Sequence, residues 1–342
     1  MSAAPVLSRL DRVERLPAPL VRTVDARCAL AESPLWLPGS GLVWVDADRD
    51  EVQALAGPGG PTASWPATTT RAAGAATWPV GATHRRVAPA LAGGGPLSAV
   101  NATGDGALLL TAGRRVWRAA RTATGTGPPR LLAELAPDPP GVRCNDARVG
   151  PDGRLWIGTV SPGRSGGGAL WSMDGDGRLR RHWGGISHGN GIGWSPCGDT
   201  VFVVDSGAGT LSRAAFDRAA GPGDPTVILR IDPSVGIPDG LAVAADGTLW
   251  LAVWGGNCLL RLAPDGTVTG RVELSERNVT SCAFAGAQLT LLAVTTAADD
   301  VDPGGPGGGV HLLDVGGRGR PTDRLGTADP TGGPIDGGAT DG

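Results

Sequence analysis

The chain has 342 residues, 41 % of them hydrophobic, and a net charge of −3 with its arginines scattered rather than clustered. That length suits one large all-β or barrel domain, or two ordinary domains, and the apolar content excludes global disorder. The charge argues against a nucleic-acid or anionic-membrane surface as a partner.

Along the chain, the first stretch, MSAAPVLSRLDRVERLPAPL, carries charges where a signal peptide needs an apolar core, and no later run is long enough to span a membrane. A cytoplasmic protein is expected, with residues 1–20 as an extension. From residue 21 one phrase recurs: a Gly-containing turn followed by a short β-rich apolar run. It reads PGSGLVWVD, GDGALLLTA, PDGRLWIGT, SPCGDTVFVVD, ADGTLWLAV and AGAQLTLLAV. From Gly106 onward the turn glycines Gly153, Gly198, Gly247 and Gly286 follow at steps of about 40–50 residues, near the period of a four-stranded propeller blade. The step from Gly41 to Gly106 is longer, and its excess lies between Gly57 and Gly95, read as a long loop.

No segment carries a sustained helical period. Six copies predict an all-β, six-bladed β-propeller over residues 21–326; a β-sandwich or β-helix is the competing reading, and a β-helix would need shorter, stricter repeats. Trp44, Trp156 and Trp250 hold equivalent strand positions and are expected to fill space between blades. Residues 327–342 are poor in apolar side chains and read as a disordered tail. The cysteines Cys28, Cys144, Cys197, Cys258 and Cys282 are far apart and odd in number, which suits buried free thiols better than disulfides or a zinc site.

Five polar residues, at four places in the chain, lie just ahead of a repeat turn, where loops enter the innermost strands of a propeller. Glu32 stands in CALAESPLW, Arg143 and Asn145 in GVRCNDARVGPDG, Asn190 in ISHGNGIGWSPCG, and Asp239 in GIPDGLAVAADG. The last segment holds two Asp-Gly pairs. Asp246-Gly247 sits between apolar runs as a hairpin turn, whereas Asp239-Gly240 precedes a strand that needs no turn there. Two carboxylates and an amide oxygen are hard donors suited to Ca2+, Mg2+ or Mn2+ and tolerable for Zn2+, and buried together without a cation they would repel. By residue type alone, polar caps at strand starts remain an equal reading.

At these residues the sequence resembles the senescence-marker-protein/gluconolactonase/luciferin-regenerating-enzyme family. The matching phrases are AESPLW, VRCNDARVGPDGRLWIGT, HGNGIGWSPCGDTVFVVDS, GIPDGLAVAADGTLWLAVWGG and RNVTSCAFAGAQLTLLAVTTA, in family order over roughly residues 25–300. The resemblance implies a propeller with one divalent metal ion in its channel (Ca2+, Zn2+, Mn2+ or Mg2+), held by Glu32, Asn190 and Asp239. It implies that Arg143 and Asn145 contact substrate and that Asp239 is also the general base. The activity implied is hydrolysis of a small-molecule sugar lactone to the aldonic acid, by a monomer or small homo-oligomer. The loop SPGRSGGG is shorter than the family's substrate-covering segment.

Two other readings belong to different classes: a non-catalytic Ca2+-binding or interaction propeller, and a hydrolase of another ester on the same fold. A serine hydrolase is a poor fit, because Ser161 and Ser206 lack a His–Asp arrangement and a nucleophile elbow. Among the remaining polar groups, His188 reads first as an ordinary loop histidine and second as a pocket-lining residue or proton shuttle, Asp46, Asp48 and Asp205 as turn or solvent-facing groups, and Asp146 as a backbone hydrogen-bonder. Trp254 reads equally as core or as a wall of the site.

Overall fold

The computed structural model describes residues 4–56, 84–88, 91, 95–122, 125–137, 139–299 and 307–326, and among them every regular element is a β-strand. No helix of these residues is long and apolar enough to cross a membrane. The strands form six four-stranded antiparallel blades in chain order. Their innermost strands are Ala31–Leu37, Leu97–Ala102, Arg143–Val149, Gly189–Trp194, Ile237–Val243 and Val279–Ala285. Each packs against the next, and the sixth against the first, so the propeller is a closed ring.

Blade stacking explains the composition of the strands. A second strand has a neighbouring blade on both faces, so Gly41–Asp46, Leu155–Val160 and Leu291–Thr296 are buried throughout rather than alternating. Outer strands such as Leu179–Ile186 face solvent, with only Ile186 buried. The predicted tryptophans do lie between blades. Trp156 packs edge-on to Trp194 and Phe216 of the fourth blade, while Trp44 and Trp250 are buried with side chains of the sixth. The six predicted turns join first to second strands, and Gly39, Gly106, Gly153, Gly198, Gly247 and Gly286 all take positive φ, the region that tight turns reserve for glycine.

Three arrangements went beyond the sequence pattern. Leu20–Val24 supplies the outer strand of the sixth blade by pairing with Val310–Asp314, so the two ends of the chain close the ring together. The residues before it run along the outer edge: Val6–Leu7 pairs with the fourth blade, and Leu16 and Glu14 hydrogen-bond Arg271 of the fifth. The long loop expected from Gly57 to Gly95 lies largely outside the described residues, but His84–Ala88 within it is a strand, the outermost of blade one. The tail read from 327 to 342 lies outside them entirely.

The segment from Arg318 to Gly326 crosses the ring at the turn end. It exchanges hydrogen bonds with Leu289, Ala245, Ser195, Trp36, Ala102, Gly104 and Gly153, touching all six blades. It therefore lies across one mouth of the channel and leaves the mouth at the strand starts for any ligand.

A side-chain trio ties the closure, with His311 and Glu276 buried and Thr23 exposed. His311 sits between Thr23 of the N-terminal strand, at 3.1 Å from Oγ1, and Glu276 of the loop entering the sixth blade, at 3.1 Å from Oε1. Burial pushes the Glu276 carboxyl up, but its hydrogen bond and ion pair with His311 prevail and hold it below the ordinary carboxylate range. A carboxyl held low stabilises the fold above its unfolded pKa, and the gain is lost as pH falls through the lower folded value. Glu276→Gln is expected to cost about 1–3 kcal/mol near neutral pH, with the gap to wild type narrowing in acid. Urea unfolding at the two pH values checks this; a gap that does not change with pH would refute it.

Candidate active site

All six innermost strands carry a one-residue register shift near their start. A bulge inserts an unpaired residue and turns the local side chains out of the blade plane. The bulged residues include Ser98, Asn145–Asp146, Asn190–Gly191, Asp239–Gly240 and Thr280, while in the first blade the shift follows directly on Glu32. The bulges therefore set Glu32, Asn145, Asn190 and Asp239 at one level of the ring. Glu32, Arg143, Asn145, Asn190 and Asp239, from four different blades, all line one cavity of about 320 Å3.

Polar contacts fix that level. Asn190 Nδ2 donates to Asp239 Oδ1 and, at 3.1 Å, to Ser206 Oγ, whose hydroxyl donates to the Pro238 carbonyl at 2.6 Å. Asn145 Nδ2 donates to the Gly189 carbonyl at 3.1 Å, and its Oδ1 accepts from Arg143 Nη1 at 3.3 Å. Ser33 takes the left-handed conformation beside Glu32, with φ of 53°, and its hydroxyl accepts from Val100 N–H. Thr280 Oγ1 donates to the Ala31 carbonyl at 2.6 Å. Each of these contacts joins neighbouring blades except those from Asn190 to Ser206 and from Arg143 to Asn145, which stay within one blade.

Several expectations need correction. Asp46 does not face solvent: it is fully buried, and its carboxylate accepts from the N–H groups of Ala29 and Leu30, just ahead of Glu32. Asp205 accepts from the N–H groups of Ser187 and His188, just ahead of Asn190, as well as from Ala208 in its own turn. Both sit at the end of a second strand and clamp the loop entering the inner strand beside them. His188 is not an ordinary loop residue but lines the cavity, as do Trp254 and the exposed Asp48. Asp146 does bond the Ala147 N–H, and it also belongs to the cavity. Of the five thiols, Cys197 is exposed and the other four are buried. Sequence reasoning missed Ser206 and Ile237 in the lining; Ile237, two residues before Asp239, could have been found by extending the common register outward.

Three carboxylates share this low-dielectric space. Burial, then the charges of Asp239 and Asp146, push the Glu32 carboxyl well above its ordinary range. Burial and then Asp146 do the same to Asp239, against the opposing hydrogen bond from Asn190. Burial also raises Asp146, with Arg148 and the Ala147 N–H opposing. A site that penalises two facing carboxylates in this way fits a divalent cation, which removes both penalties at once. Among the described residues no three His, Cys, Asp or Glu side chains gather as a ligand group; the candidate donors are two carboxylates and an amide.

The two Asp-Gly pairs serve different ends. Gly247 has φ of +91° and makes the hairpin. At Gly240 an added Cβ would lie 2.6 Å from the Ser281 Cα and 2.2 Å from its Oγ, so the glycine lets the sixth blade's inner strand approach beside Asp239.

Comparison with known proteins places these residues in context. Residues 30–298 match the model of the SMP-30/gluconolactonase/LRE-like region. A pentonolactonase of Haloferax volcanii is 31 % identical over 89 % of this chain and 97 % of its own. The structure of a calcium-binding regucalcin from Agrobacterium tumefaciens is 28 % identical, with a TM-score of 0.73 over 94 % of this chain and 99 % of that one. A gluconolactonase structure from Xanthomonas campestris shares the fold, at 20 % identity and a TM-score of 0.62 over 84 % and 87 % of the two chains.

Overpacking at the Gly240 contact gives a direct test. Gly240→Ala is expected to lower stability by about 1–3 kcal/mol, because the clash involves backbone rather than a movable side-chain tip. Gly39→Ala, where no atom lies within 4 Å, should cost only the strain of its positive φ, about 1 kcal/mol. Equal losses in thermal unfolding would contradict this account of the P-D-G glycine.

Proposed function

The chain belongs to the SMP-30/gluconolactonase/LRE-like family, and on that premise we propose that it hydrolyses sugar lactones to aldonic acids, using a divalent cation held by Glu32, Asn190 and Asp239. The observation that carries the reading is the convergence of these three residues with Arg143 and Asn145 in a single cavity. A cation bound there would polarise the lactone carbonyl and acidify a bound water.

The chain's own residues supply the rest. Arg143 is half-buried beside the cavity, and burial makes its guanidinium easier to neutralise than usual, a cost that a substrate oxygen or developing oxyanion offsets. Its contact with Asn145 Oδ1 holds the amide in place, while Asn145 Nδ2 is tied to the neighbouring blade. Together they orient the lactone ring against the floor. Asp239 accepts the proton of the attacking water as the water oxygen bonds to the carbonyl carbon. When the tetrahedral intermediate collapses, the ring C–O bond breaks, its oxygen takes up a proton, and the hydroxy acid leaves as an anion. A purely calcium-binding role would leave the Arg143–Asn145 pair beside the donors without a purpose.

Acid release from D-glucono-δ-lactone and D-xylono-1,4-lactone, followed by pH-stat, tests the proposal. Wild type is expected to be active, to lose activity in EDTA, and to recover it with one or more of Ca2+, Mn2+, Mg2+ and Zn2+. Asp239→Asn should lower kcat/KM by about 10²–10⁴-fold, and Arg143→Ala by about 10–100-fold with folding intact. Wild-type rates in Asp239→Asn, or activity indifferent to chelation, would overturn the assignment.

A further inference from the structure

The cavity has two tiers, and the upper one is divided. Five blades contribute a lower residue: Glu32, Ser98, Asn145, Asn190 and Asp239. The residue two positions earlier on each strand or its lead-in also lines the cavity: Leu30, Pro96, Arg143, His188 and Ile237. Around the ring, the third and fourth blades thus offer Arg143 and His188. The fifth, first and second offer Ile237, Leu30 and Pro96. Ile237 pairs directly with Trp254 on the adjoining strand, and Trp254 extends the apolar wall. Ile237 is 45 % exposed, one of few large apolar side chains so placed among the described residues. An isoleucine held in water at a cavity mouth gains when a ligand covers it.

Charge reinforces the division. The lining contains four carboxylates, Glu32, Asp48, Asp146 and Asp239, against one guanidinium, Arg143. Even a divalent cation leaves no surplus of positive charge, so an anionic substituent finds no partner at the apolar wall and would be desolvated there.

We infer that, among the lactones of the proposed reaction, this chain selects those whose exocyclic end is apolar, a methyl-ended deoxysugar lactone before a hydroxymethyl-ended one, with phosphate- and carboxylate-ended lactones excluded. This rests on the lactonase reading. The ring hydroxyls face Arg143 and Asn145, and the exocyclic carbon lies against Ile237, Leu30 and Trp254. An apolar pocket discriminates modestly between a methyl and a hydroxymethyl group and strongly against a charge.

The test measures kcat/KM for wild type on a matched series: 6-deoxy-hexono-1,4-lactone, the parent hexono-1,4-lactone and its 6-phosphate. The expected order is methyl over hydroxymethyl by about 10-fold, with the phosphate at least about 100-fold below the parent. Ile237→Asn and Leu30→Asn should shrink the ratio of kcat/KM between the methyl- and hydroxymethyl-ended lactones to about unity. Equal rates across the series, or a preference for the hydroxymethyl or phosphate end, would overturn the inference and leave the lactonase reading standing. Absence of turnover on every lactone would overturn both. Because the wild-type series is decisive alone, a variant that fails to fold does not spoil the test.

Discussion

Carboxylates from separate blades meet in one buried channel, and the rest of the site follows from their mutual repulsion. Burial raises all three of Glu32, Asp146 and Asp239, Asp239 and Asp146 add to the cost of ionising Glu32, and Asp146 adds to that of Asp239. Side chains alone would move apart or take up protons. They stay because the inner strands carrying them are locked on both flanks by neighbouring blades. A rigid frame thus holds an unfavourable electrostatic arrangement, of the kind that the proposed divalent cation would relieve.

The frame is made by repeating one device. Every inner strand has a bulge at the same level, and polar contacts across the blade interfaces hold that level in place. Asp46 and Asp205 extend it outward by holding the incoming loops. Closing the ring with the N-terminal strand matters for the same reason. An open ring would let the first and sixth blades drift, and Glu32 with them.

The opposite mouth is treated differently. The segment from Arg318 to Gly326 spans the turns there and lines, with Arg148, a smaller cavity of about 90 Å3. The proposed site residues gather at the strand starts, while the turn end is spanned by backbone and side-chain hydrogen bonds. This asymmetry gives a substrate a single direction of approach and leaves the divided upper tier to select what enters.

The sequence alone determined the blade count, the six turns and the common register of Asn145, Asn190 and Asp239, because each is a local pattern that the strand period and turn chemistry enforce. Its phrases also carried the resemblance in which Glu32 joins that set. Tertiary structure decided what depends on contacts between distant segments. Asp46 looks like a strand-end turn former until the loop at Ala29 and Leu30 is seen folded onto it. Asp239-Gly240 reads as a pair that no hairpin needs, and only the fold shows Ser281 packed against its glycine. Ile237 is one more apolar residue until three other blades place Leu30, Pro96 and Arg143 around the same opening. A sequence specifies each strand's neighbours along the chain; which groups share a dielectric, and therefore a charge balance, is set only when the ring closes.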